Sequence, residues 1–138
     1  MSIVQTQTTS FKKELYEAVH NLSTDTVYIA LYTSDADLNA DTTVYSATNE
    51  VVATGYTAGG TDMTGVSISS SGSVAYVSWD NVGWSAALTA RCALIYNVTQ
   101  GNKSIAVLDF GSDKTSTTTF TITMPANTST TALIRSSN

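Results

Sequence analysis

From Asp25 to the C-terminus the apolar residues of this chain recur every second position, in short runs broken by Gly, Asn, Asp and Ser. That period belongs to strands, whose side chains point alternately to opposite faces. "TFTITM" (119–124) is the clearest run, with Phe120, Ile122 and Met124 on one face and Thr119, Thr121 and Thr123 on the other. "DTVYIALYT" (25–33) sets Val27, Ile29 and Leu31 against Tyr28, Ala30 and Tyr32, as in a strand buried on one face and at least half covered on the other. Further strands are expected at "EVVAT" (50–54), "GVSIS" (65–69), "SVAYVSW" (73–79), "ARCALIY" (90–96), "SIAVLDF" (104–110), "TTFTITM" (118–124) and "TALIR" (131–135). Pro125, the only proline, falls where a strand ends and a missing N–H is tolerated. A parallel sheet needs helices between its strands, and no helical spacing follows residue 22.

Before that point, "TSFKKELYEAVHNL" places Phe11, Leu15, Ala18, Val19 and Leu22 at helical spacing behind Ser10, a capping residue, which predicts one amphipathic helix over about 10–22. The fold class that follows is all-β: an antiparallel β-sandwich, jelly-roll or immunoglobulin-like, with one short N-terminal α-helix. A length of 138 residues suits a single domain spanning 1–138. Sandwiches leave edge strands, and an open edge can pair with another chain.

Composition agrees with this reading. Charged residues are only 12% of the chain, and Ser with Thr make up close to a third, so polarity comes from hydroxyls, which sit well on the solvent face of strands. A net charge of −5, with six Lys and Arg that form no basic cluster, argues against nucleic acid and anionic membrane as partners, since both require a basic patch. The first twenty residues lack the charged-then-apolar order of a secretory leader, and no apolar run approaches eighteen residues, so a soluble protein is expected.

Chemistry-bearing residues are few. "DADLNAD" spaces Asp35, Asp37, Asn39 and Asp41 like the first four ligands of a helix-loop-helix calcium loop. Ala40 stands where the turn glycine belongs and Ser46 where the bidentate carboxylate belongs, so a solvated loop is expected, with structural Ca²⁺ as the alternative. His20, the only histidine, is expected to meet the last carbonyls of the helix. With one His and one Cys the chain assembles no Ser-His-Asp or Cys-His set and no zinc site, and no enzyme or cofactor is expected. Cys92, inside an apolar run, reads as a buried thiol, and Arg91 as half of an ion pair with Asp80 or Asp109. Trp79 continues a core alternation, while Trp84 is divided between core and surface, where it could help build a sugar-stacking platform. In "EVVATGYTAGG" (50–60) no Lys-Ser pair or helix follows the glycines, so Gly55, Gly59 and Gly60 mark a turn or bulge and not a phosphate cradle. Tyr56, among them, is a candidate for burial or a subunit contact.

The order of these pieces resembles a group of small structural proteins of tailed bacteriophages. The likeness runs over residues 10–125, through "DTVYIALYTSDAD", "NEVVATGYTAGG", "VSWDNVGWS", "ARCALIYN" and "SIAVLDFGS". Its most distinctive residues are Asn49, Glu50, the run Gly55 to Gly60, Asp109, Phe110 and Gly111. The resemblance implies no catalytic residues. It implies a virion component, a capsid decoration or cement protein on the outer capsid surface, assembled in the host cytoplasm, with the major capsid protein and further copies of itself as partners. The expected form is a homo-oligomer, a trimer, at symmetry positions of the shell. A tail- or fibre-associated protein and a glycan-binding module are the alternatives.

Overall fold

The computed structural model describes residues 2–137. Its elements run β1 (Thr6–Gln7), α1 (Thr9–Tyr16), β2 (Val27–Tyr32), β3 (Thr61–Asp62), β4 (Ser67–Ser71), β5 (Val74–Ser78), β6 (Val82–Trp84), β7 (Thr89–Asn97), β8 (Lys103–Thr115), β9 (Phe120–Ile122) and β10 (Ile134–Ser136). Five strands form one antiparallel sheet in the order β1-β8-β7-β2-β3. Two small sheets, β10-β5-β4 and β6-β9, form a second layer. The fold is all-β and sandwich-like, with one short helix.

Burial follows the alternation. Val27, Ile29 and Leu31 of β2, with Ala93 and Ile95 of β7 and Ile105 of β8, face a core completed by Val77, Trp79, Val82, Trp84, Phe120, Ile122 and Ile134 of the second layer. The opposite face of the five-stranded sheet carries Ala30, Tyr32, Cys92, Leu94, Tyr96 and Val107. It is covered by Ala36, Leu38 and Tyr45 from the segment between β2 and β3, and by Ile3. Both faces of β2 are therefore covered, which is why its run is apolar on both sides.

Three expectations need correction. The helix stops at Tyr16, not near residue 22, and its cap is Thr8, whose Oγ1 accepts from the Phe11 N–H at 3.3 Å, not Ser10. Ala18 then adopts φ +59°, and the N–H groups of Ala18 and Val19 return to the Leu15 and Glu14 carbonyls. That is a Schellman ending with alanine in the left-handed position where glycine is usual. Beyond it Leu22 still packs on the core, but as part of a loop.

The second correction concerns "EVVAT", which forms no strand. It touches the end of β2 through one bridge, Tyr32 to Glu50, and the Val51 N–H to Leu31 O bond of 3.0 Å, after which Val52 points into solvent at 97% exposure. The third is at the end of the chain, where pairing begins at Ile134 and not at Thr131.

Candidate functional site

The segment 49–60 is built around one buried carboxylate. Glu50, 7% exposed, accepts from Tyr45 Oη at 2.6 Å on Oε1, and from Tyr56 Oη at 2.6 Å and the Gly59 N–H at 2.8 Å on Oε2. Tyr56 Oη in turn accepts from the Leu31 N–H at 2.8 Å, which ties the segment to β2. Tyr96 Oη donates to Gly59 O at 2.5 Å, and its ring stacks on Tyr45 with centroids 4.8 Å apart. Tyr56 is thus buried within its own chain, and the glycine turn closes a clamp around Glu50. Charge-assisted bonds of this kind are shorter and stronger than neutral ones.

Burial, reinforced by the nearby Glu50 charge, raises the phenols of Tyr32, Tyr45 and Tyr56 well above the ordinary tyrosine value and pushes Tyr96 up to about 12. A folded-state value above the unfolded value of about 10 stabilises the fold below that pH and is lost as pH rises through the folded values. These four phenols are therefore expected to ionise together with cooperative unfolding, above pH of about 11. Phenolate absorbance and circular dichroism recorded along one alkaline titration check this. Four independent ionisations near pH 10 with the fold intact would refute the clamp.

The other candidates are also occupied by structure. His20 meets no helix carbonyl, because the helix ends four residues earlier and the ring turns inward against Phe11. Its Nδ1 lies 3.0 Å from Asn97 Nδ2, a group that can only donate, so Nδ1 accepts and Nε2 donates to Glu14 Oε1 at 2.9 Å. Asn97 Nδ2 also donates to Asp25 at 2.9 Å. Burial opposes ionisation of Asp25, but bonds from the Asn21 N–H, Asn97 and Gln100 outweigh it and hold the carboxyl below its usual range. Helix, loop and the end of β7 are locked together by this chain of partners.

Arg91 pairs with Asp109, at 3.2 Å, and Asp80 instead lies against Gly65. Cys92 is fully buried, and burial pushes its thiol up to about 12, which leaves it unreactive. Trp79 and Trp84 are both in the core, at 5% and 6% exposure, Trp84 between Tyr56 and Phe120. Asp35, Asp37 and Asp41 are exposed, and Asn39 spends its side chain on Asp37 and on the Asp41 N–H. Among the described residues no three His, Cys, Asp or Glu side chains gather closely enough to hold a metal.

What the clamp and the ion pairs leave free is a surface. Between Met63 and Ala90 the only charged residue is Asp80, and residues 115–134 contain none. These segments supply β4, β5, β6 and β9, so the second layer is nearly uncharged and faces outward with Ser and Thr. Asn127 Nδ2 joins the two segments through Ser67 O at 3.2 Å. Sequence reasoning identified the hydroxyls but not their concentration on one layer, which appears only once the strand order is known. Compared with protein-family models, with curated proteins and with solved structures, the chain matches none. No helix among the described residues is long and apolar enough to cross a membrane.

Proposed function

We propose that this chain is a virion structural protein of a tailed bacteriophage, a decoration protein that binds the major capsid protein on the outside of the head and stabilises the shell. The reading rests on the resemblance over residues 10–125. The observation that carries it in the structure is the nearly uncharged, hydroxyl-rich second layer of a chain whose net charge is −5. Such a layer can be covered by another protein without desolvating ion pairs. The histidine and the cysteine, meanwhile, are committed to packing and internal bonds.

The test is mechanical. Capsids carrying the protein are expected to survive several degrees more heating before releasing DNA than capsids stripped of it, as follows when a ligand binds only the assembled state. Equal release temperatures would remove the cementing role. Immunogold labelling of intact particles separates head from tail, the alternative within the same structural class. The glycan-binding alternative loses Trp79 and Trp84 as a platform, since both lie in the core.

A further inference from the structure

We propose that β4 is a self-pairing edge through which two copies of this chain join into one continuous sheet about a two-fold axis. Natural sheets block their edges with very short strands, charges, prolines or bulges. The edges β1 and β3 are two residues long, and β3 ends in Asp62. At β10 the exposed Arg135 intervenes, and Gln7 Nε2 covers its carbonyl at 3.0 Å. The strand β4 has none of these devices. Its five residues, Ser-Ile-Ser-Ser-Ser, are all exposed, uncharged and paired to β5 without a register shift.

Its free groups follow from the hairpin. Gly72 and Ser73 form a two-residue turn with Gly72 at φ +61°, so Ser71 and Val74 are the hydrogen-bonded pair beside it. Alternation then turns the N–H and C=O of Ser69 toward β5, and those of Ile68 and Ser70 outward. Asn127 reaches only the start of the strand, at Ser67 O. An antiparallel second copy with Ser69 on the axis sets Ile68 opposite Ser70 and Ser70 opposite Ile68. Every outward group of the four then finds a partner, the self-complementary arrangement a two-fold axis requires.

Charge selects a second copy as the occupant. Two chains of net charge −5 repel over most of their surfaces, but the segment 63–79, which contains β4, carries no charge at all. Beside the edge lies an apolar groove of about 400 Å³ between the core face of the small sheet and the helix, lined by Phe11, Leu15, Leu22, Ile68, Val77 and Ile134. Ile68 is 54% exposed there. In the paired form the two Ile68 side chains become diagonal neighbours about 7–8 Å apart and cover one another. The order of symmetry is two, in place of the three implied by the resemblance, and the pairing stands whether or not the protein decorates a capsid.

Sedimentation at about 100 µM, where an interface of this small kind is expected to fill, should give about 29 kDa, twice the 14.5 kDa chain. Ile68→Lys, folded by its circular dichroism and melting curve, should weaken association at least about tenfold by placing like charges at the seam. In a second measurement, Ser69→Cys should form a disulfide-linked dimer under mild copper oxidation, because residues on the axis lie about 4.5 Å apart at Cα. Val44→Cys, on the segment covering the opposite face, should not. A monomer at that concentration, a trimer, a dimer indifferent to Ile68→Lys, or equal cross-linking of the two thiol variants would each overturn the proposal.

Discussion

Glu50→Ala is expected to lower the unfolding free energy by about 3–5 kcal/mol, because three donors lose the one acceptor they share. The substitution leaves Tyr45 Oη, Tyr56 Oη and the Gly59 N–H without their acceptor, Tyr56 in the core and the other two half-buried. Each orphaned donor costs about 1–3 kcal/mol, partly relieved by relaxation of the loop. For a domain of this size the melting temperature should fall by about 10–20 °C. Glu50→Gln should cost far less. Its carbonyl can take the place of Oε2 and serve Tyr56 and Gly59, while its amide donates to a reoriented Tyr45 hydroxyl. The comparison separates hydrogen bonding from charge. Combining Glu50→Ala with Tyr56→Phe should destabilise by less than the sum of the two, since both delete the same bond. A melting temperature for Glu50→Ala within a few degrees of the parent would show that the clamp does not hold the segment.

Alternation made the strands legible because strands covered on one or both faces must repeat with the pleat. It succeeded for β2, β5, β7, β8 and β9, and placed Phe120 and Ile122 inward as found, whereas β4, expected at 65–69, runs over Ser67–Ser71 with every residue exposed. It failed where backbone chemistry overrode pattern. "EVVAT" looks like a strand by composition, but Glu50 is drawn under the sheet by three donors that lie up to nine residues away, and the chain between must turn. The helix was overread because its end depends on a left-handed alanine, Ala18, at a position where only glycine or asparagine would have given a signal. In the sequence Glu50 stands out only as the first residue of "EVVAT" and as part of the resemblance. A carboxylate beside Val51 and Val52, with tyrosines at 45 and 56, becomes recognisable as a buried acceptor only when the spacing of Tyr45, Tyr56 and Gly59 around it is known. The open edge of β4 was anticipated in kind, as a property of sandwiches, but not in place, because strand order decides which strand lies outermost.

Gly60→Ala should be the most damaging single-methyl change in the chain, costing about 3–4 kcal/mol and reducing the yield of folded protein. At φ +83° an L-residue already loses about 1–2 kcal/mol. The added Cβ would also run into the Ile29 carbonyl and the Ala30 Cα. Those atoms cannot retreat, because Ile29 is paired with Ile95 on one side and Thr61 on the other. The loop must move instead, which pulls the Gly59 N–H from Glu50 and the Gly59 carbonyl from Tyr96. Gly111→Ala provides the control. Its φ of +84° is nearly the same, but a Cβ there meets nothing within 4 Å, so it should show the backbone cost of about 1–2 kcal/mol alone. Urea midpoints of the two variants measure the difference, which is the part due to contact with β2. In a Glu50→Ala background the extra cost of Gly60→Ala should shrink, since the clamp bond that the displaced loop would break is already gone. Equal midpoints for Gly60→Ala and Gly111→Ala would mean that the turn is held by its backbone angles alone and that its approach to β2 contributes nothing.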